Sequence, residues 1–207
     1  PIAVIATVPL VLAANPKLPV KNVAELLAYA KAHPDQLNYG SAGNGSTLHL
    51  AGELLISETG ITMKHVPYRG TGPLITDLIG GQGQLGFVSI SQGAPHVDPG
   101  ALRALAVSTS ARSAALPEVP TLAEAGVPQY SFDAWIALIG PAGLPKPVVD
   151  GSYAAIKTAL ASPEGAKALA AQGLTVLDIG PDAAPAFFAS ELAKHQKLVK
   201  QSGATLD

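Results

Sequence analysis

The sequence contains no cysteine and is poor in aromatic and charged residues. Of its 207 residues, 5% are aromatic and 14% are charged, and the formal net charge is −2. The absence of cysteine excludes thiol catalysis, disulfides and cysteine-based metal sites. The nearly neutral charge balance offers neither the basic surface that nucleic acids require nor a polybasic membrane anchor. We therefore expect no nucleic-acid partner.

Long hydrophobic runs are also scarce. The uncharged run at residues 1–14 is shorter than the ~20 residues that cross a bilayer, and Pro9 interrupts it. Residues 2–6 and 10–13 are therefore predicted to form two buried strands. Because the chain starts without methionine and enters core-like sequence at once, we expect it to be the interior of a longer protein.

Hydrophobic residues nevertheless make up 48% of the chain, which is enough for a substantial core. Strand-like and helix-like stretches alternate along it. The predicted strands are residues 37–39, 62–67, 85–89, 102–109 and 175–179. The predicted helices are residues 23–33, 47–58, 71–79, 147–160, 163–172 and 182–200, with a short one inside 116–128. Repeated strand–helix units predict an α/β fold with mostly parallel sheets flanked by helices.

Several helix ends carry local signals. Asn22 followed by Glu25 is typical of a capping box, and Gly60 is placed to end the second helix. Thr121 and Glu124 have the same capping spacing, which predicts the short helix inside 116–128.

The most informative segment, residues 38–54, reads as a strand, a glycine-rich turn and the exposed start of a helix. Such a helix start leaves N–H groups without intrahelical acceptors, and the helix dipole favours negative charge there. Glycines in the turn would let a ligand approach the backbone. An ordinary capped turn is the alternative interpretation. The predicted carboxylate-binding residues of this segment are Ser41, Ala42, Gly43, Asn44, Gly45, Ser46 and Thr47.

A second strand–turn–helix segment, residues 65–73, has the same organisation. If both strands are parallel neighbours, their loops leave the sheet at one edge, and Tyr68 and Gly70 would line a cleft with the first loop. Arg69 could pair with a carboxylate there, or it could be a solvated surface charge.

The chain offers little for catalysis. Its five histidines show neither the i,i+4 pairing nor the neighbouring carboxylates that are typical of a metal site. No serine lies in the Gly-x-Ser-x-Gly turn that presents a nucleophile. His49 lies one turn inside the candidate helix, where we expect it to hydrogen-bond the backbone. Because no nucleophile, base and orienting group can be assembled, we expect no enzyme activity, no metal and no cofactor.

Five segments together resemble the Bug family, the extracytoplasmic solute receptors of tripartite tricarboxylate transporters. They occur in the family's order along the chain. The segments are residues 37–46, 65–73, 102–107, 116–126 and 141–149.

The resemblance implies a fold like that of type II periplasmic binding proteins, with two lobes that close around a ligand. Residues 8–132 would form one lobe, and residues 1–7 and 133–207 would belong to the other. That second lobe would be incomplete, since the family's usual N-terminal segment, which supplies half of the ligand cage, is absent. Exposure of the incomplete sheet would favour self-association.

By the same resemblance, the protein would be periplasmic. It would bind a small organic carboxylate and deliver it to integral membrane subunits of a transporter. The family tends to place an acidic residue after the Phe that matches Phe87, whereas this chain has Val88 and Ser89. Ser89 would then contact the ligand, and the missing counter-charge favours a plain or aromatic carboxylate over an amino acid.

A different class of protein uses the same two-lobed architecture, namely the ligand-sensing effector domain of a transcription regulator. A helix-turn-helix encoded upstream would identify that class, and a secretory leader would identify the receptor.

Overall fold

The computed structural model describes residues 1–97 and 99–202, and it contains two β-sheets in that part of the chain. The strands are β1 (Ala3–Val8), β2 (Leu10–Ala14), β3 (Asn38–Ser41), β4 (Lys64–Pro67), β5 (Leu85–Ser89), β6 (Arg103–Val107), β7 (Ala134–Leu138) and β8 (Thr175–Ile179). One sheet has three strands in the order β7-β1-β8, and the other has five in the order β4-β3-β5-β2-β6. All the predicted strands are therefore present, although two are shorter than expected.

The α/β class is confirmed, but the expectation of mostly parallel sheets is wrong. Among the strands of residues 1–97 and 99–202, two pairs are parallel, β3 with β4 and β3 with β5. Strand β2 is antiparallel to β5 and β6, and β1 is antiparallel to β7 and β8. A fully buried apolar run such as β2 has the same residue pattern whether the strand is parallel or antiparallel to its neighbours. The hydrophobic pattern therefore does not predict strand direction.

Seven α-helices surround the sheets in the described part of the chain. They are α1 (Val23–Ala32), α2 (Thr47–Thr59), α3 (Thr71–Gly80), α4 (Ile90–Gly93), α5 (Lys146–Ala161), α6 (Pro163–Ala171) and α7 (Ala184–Ser202). The caps of two helices act as predicted. Asn22 Oδ1 accepts a 2.9 Å hydrogen bond from the amide of Glu25, and Gly60 ends α2 with a left-handed φ of 66°.

The helix predicted inside residues 116–128 does not form. Thr121 and Glu124 do make the reciprocal capping bonds, at 2.9 and 3.1 Å. However, Thr121 also forms a bridge to Val107, and the chain after it makes only turns. Gly126, with a φ of 106°, redirects the backbone before a second helical turn can be added.

The hydrophobic core belongs mainly to the five-stranded sheet. The largest fully buried side chains there include Tyr39, Phe87, Tyr130 and Phe132. Helix α7 returns from the far end of the chain to pack beside α2, and its Leu198 joins this core. None of the helices in the described residues has the length and apolar character needed to cross a membrane.

Candidate functional site

The carboxyl ends of β4, β3 and β5 lie side by side at one edge of the five-stranded sheet. Ser41 is in register with Pro67, and Gly40 with Gly86. Each strand is followed by a helix start, at α3, α2 and α4 respectively. This edge, here called the binding edge, therefore brings together the loop at residues 42–46, the turn at 68–70 and Ser89.

Glycine geometry shapes the loop at residues 42–46. Gly43 and Gly45 have φ angles of 133° and 71°, which residues with side chains rarely adopt. The loop ends at Ser46, whose Oγ accepts a 3.3 Å hydrogen bond from the amide of His49. Ser46 is thus the N-cap of α2, and Thr47 is its exposed first residue.

Part of the loop backbone is already occupied by protein acceptors, so the loop does not present all of its amides to a ligand. The amide of Gly43 donates to Ser41 Oγ at 3.1 Å, and that of Gly45 donates to His49 Nδ1 at 3.0 Å. The amide of Ser46 donates to the carbonyl of Gly43 at 3.2 Å.

Two amides at the start of α2 remain available. Within residues 1–97 and 99–202, the N–H groups of Thr47 and Leu48 have no protein acceptor. The dipole of the helix, which spans 13 residues, adds a partial positive charge at this end. The binding edge thus retains a place for a carboxylate, formed by the helix start and not by the whole loop.

Ser41 lies beneath the loop and not at its surface. Its side chain is fully buried, and its Oγ lies 2.7 Å from His65 Nε2. The hydroxyl donates to the carbonyl of Gly43 at 3.0 Å. Ser41, predicted as a carboxylate-binding residue, therefore supports the loop with a fully buried side chain.

His49 lies close to one carboxylate, that of Glu53. Its Nε2 lies 3.6 Å from Glu53 Oε1, and its ring stacks on that of His65 with centroids 3.7 Å apart. The hydroxyl of Tyr39 donates to the same Glu53 oxygen. We call Ser41, His65, His49, Glu53 and Tyr39 the polar cluster.

The i,i+4 spacing of His49 and Glu53 was the one signal of this cluster in the sequence. The expected hydrogen bond between His49 and the backbone is confirmed by its contact with Gly45.

The two stacked imidazoles of the polar cluster are neutral at pH 7. Burial lowers the pKa of His49, although Glu53 opposes that shift. Burial, reinforced by His49, lowers the pKa of His65 from 6.5 to about 4. Since His49 Nδ1 accepts the Gly45 amide proton, the proton of its neutral ring lies on Nε2, which faces Glu53.

The side chain of Tyr68 points away from the binding edge, contrary to its predicted role in lining the cleft. Its ring packs over Gly40, where an added Cβ would lie 3.0 Å away. Burial and a hydrogen bond to the Asp77 side chain raise the pKa of the Tyr68 hydroxyl. Only the backbone of Tyr68 serves this edge, through a 3.0 Å bond from its amide to the carbonyl of Ser41.

The remaining predicted residues lie along the binding edge. Gly70 caps α3 with a φ of 116° and has open space around it. Ser89 ends β5, is partly exposed, and donates from Oγ to Gln92 Oε1 at 3.0 Å. Asn44 and Arg69 are exposed. In the part of the chain that the structure describes, no group of three or more histidine or acidic side chains could hold a metal ion.

Comparison with known proteins identifies the family. The sequence profile of the TctC family, described as the tripartite tricarboxylate transporter family receptor, matches residues 1–204. The chain belongs to this family. It is 35% identical over 206 residues to protein BugT of Bordetella pertussis, and the match covers 100% of this chain but 63% of BugT. The chain thus spans less than two thirds of that relative.

Solved structures of family members agree with the fold. R. palustris Rpa4515 with adipate superposes with a TM-score of 0.90 at 35% identity, covering 99% of this chain and 69% of that one. MatC from Rhodopseudomonas palustris with bound malate gives 0.81 at 30% identity, covering 98% and 69%. The periplasmic binding protein BugD gives 0.87 at 30% identity, covering 99% and 69%. The fold is therefore that of periplasmic binding proteins, and family members are receptors and not enzymes.

Proposed function

We propose that this TctC-family chain forms the greater part of a periplasmic receptor that binds a small organic carboxylate and delivers it to integral membrane subunits of a transporter. The observation that carries the proposal is the pair of amides, of Thr47 and Leu48, that have no acceptor among residues 1–97 and 99–202. They lie at the binding edge of a protein whose relatives bind adipate and malate. The family match favours this role over that of a regulator's effector domain.

The two sheets support a division into two lobes. Residues 8–132 contain every strand of the five-stranded sheet, whereas residues 1–7 and 133–207 contain the three-stranded sheet except for the end of β1. We place the ligand on the first lobe and its closure against the second. A ligand that touches both lobes binds the closed state better, which drives closure.

The proposed contacts use groups that lie at the binding edge. The carboxylate would accept from the amides of Thr47 and Leu48, and the rest of the ligand would lie near Asn44, Gly70 and Ser89. Ala42, Gly43, Gly45 and Ser46 would shape the surface beneath it. Because Ser89 is a neutral hydroxyl, this edge suits a plain or aromatic carboxylate better than an amino acid, whose ammonium group lacks a partner there.

A substitution at Thr47 tests the site directly. Proline is well tolerated at the first position of a helix, and Ser46, with φ −65° and ψ 158°, already has a conformation that can precede proline. Thr47→Pro therefore removes one N–H group and leaves the helix intact. Thr47→Ala, which keeps the N–H group, is the matched control.

The experiment uses this chain joined to the remaining part of a longer relative, here called the extended protein. Calorimetric titration with adipate and with malate measures binding. We expect the extended protein to bind one of them, and the chain of 207 residues alone to bind weakly or not at all. Thr47→Pro should weaken binding roughly tenfold or more, as expected for a lost hydrogen bond to a charged group. Equal affinities in Thr47→Pro and Thr47→Ala would contradict the site.

A further inference from the structure

The polar cluster lies next to the loop at residues 42–46. Ser41, His49 and Tyr39 are buried, whereas His65 and Glu53 are partly exposed. We propose that His49 and His65 are positioning residues, which hold this loop in its carboxylate-binding geometry without touching the ligand. The inference rests on the proposed function for its consequence on binding. The contacts that carry it are internal to the protein.

His49 holds the C-terminal part of the loop. Its ring nitrogen Nδ1 accepts the amide of Gly45 at 3.0 Å, while its own amide donates to Ser46 Oγ at 3.3 Å. Its side chain is 4% exposed, so neither bond competes with bulk water. The amides of Thr47 and Leu48 follow directly, and their direction depends on this anchored turn.

His65 holds the N-terminal part of the loop through Ser41. The serine hydroxyl has one proton, which it donates to the carbonyl of Gly43 at 3.0 Å. Its oxygen therefore accepts both from the amide of Gly43, at 3.1 Å, and from His65 Nε2, at 2.7 Å. The structure thus assigns the proton of His65 to Nε2.

Stacking connects the two histidines. Their rings are 3.7 Å apart and within 8° of parallel. Behind His49, Glu53 is held by the hydroxyl of Tyr39, whose ring packs directly against Gly52. An added Cβ at Gly52 would lie 2.3 Å from that ring, so this close approach requires glycine. The loop is consequently attached to the centre of α2 and to β3.

The two histidines use different ring nitrogens, and this difference separates positioning from simple packing. An asparagine side chain places its amide oxygen near the position of a histidine Nδ1, whereas a glutamine side chain reaches the position of Nε2. His49→Asn therefore retains an acceptor for Gly45, and His49→Gln does not. At the other histidine the order reverses, since His65→Gln retains a donor to Ser41 and His65→Asn does not.

The test measures adipate and malate affinity of these four variants in the extended protein, alongside their thermal unfolding. We expect His49→Asn and His65→Gln to bind within about threefold of the unsubstituted protein. His49→Gln and His65→Asn should bind roughly tenfold more weakly, because each loses a buried hydrogen bond to the loop. If both variants at each position weaken alike, or if affinity follows thermal stability alone, the inference is overturned.

Amide hydrogen exchange of the chain itself, measured by NMR, separates this inference from the proposed function. His49→Gln should expose the amide of Gly45 to exchange and leave that of Gly43 protected, and His65→Asn should do the reverse. If the extended protein binds neither acid, the proposed function fails, and this exchange pattern still decides the positioning role. Uniform exchange at Gly43 and Gly45 across the variants would overturn it.

Discussion

The residues around the two sheets of this chain are buried to different degrees. Around the five-stranded sheet, strand β2 is buried along its whole length and the core extends into α1, α2 and α3. Around the three-stranded sheet, α5 and α6 contain no buried residue, and Ile136 and Val176 remain 43% and 42% exposed. The binding edge therefore lies on the half with the complete core, where strand ends are held firmly enough to orient backbone amides.

A matched pair of leucines gives the largest expected contrast between the halves. Leu12 in β2 is 0% exposed, whereas Leu192 in α7 is 60% exposed. Leu12→Ala should lower the free energy of unfolding by about 2–5 kcal/mol, since it removes buried surface and leaves a cavity. Leu192→Ala should change it by roughly 0.5 kcal/mol or less. Urea unfolding followed by circular dichroism measures both. Similar losses in the two variants would mean that the halves are equally well packed.

The sequence was most informative where the signal was local. The strand, glycine turn and capped helix at β3 and α2 were predictable because each step depends on neighbouring residues. Ser46 caps the helix and Gly60 ends it through contacts within four residues. The same local rule failed at Thr121. The capping bonds formed there, but Thr121 also bridges to Val107 and no helix follows it.

What the sequence did not reveal depends on tertiary contacts. The direction of the Tyr68 side chain is set by the space above Gly40 and by Asp77 on α3. The stacking of His49 on His65 requires β4 to pair with β3, which brings together residues from separate elements. These contacts shape the loop and the start of α2, so the final geometry of the site could not be derived from the spacing of residues.

The exposed side of the three-stranded sheet provides a second, smaller contrast. Ile136 and Val176 flank Ala6 in register, on the edge strands β7 and β8. Because unpaired strand edges with apolar side chains favour pairing with another chain, we expect the chain of 207 residues to self-associate at micromolar concentration.

Light scattering after size-exclusion chromatography tests this prediction. Ile136→Lys should shift the population toward monomer, since a charge on an edge strand opposes pairing. Ile79→Lys, at a residue of α3 that is 39% exposed, is the control in the other half and should leave the mass unchanged. A monomeric unsubstituted chain would show that the exposed sheet does not drive association.

Acid should destabilise the half that holds the polar cluster. This effect is expected to be smaller than those of the leucine substitutions and of self-association. Burial lowers the pKa of His65 from 6.5 to about 4, so between these values the unfolded chain binds a proton that the folded chain does not. Stability should therefore fall as the pH falls through this window. In His65→Gln the fall should be shallower than in the unsubstituted chain.

Asp133, near β7 in the other half, has the opposite effect on stability as the pH falls. Burial raises the pKa of Asp133, so protonation relieves a cost of folding as the pH falls. The residue is present in both proteins, and its contribution cancels when their stabilities at pH 7.5 and 5 are compared by thermal unfolding. An equal pH dependence in His65→Gln and in the unsubstituted chain would show that the imidazole stack is not the acid-sensitive part of the five-stranded half.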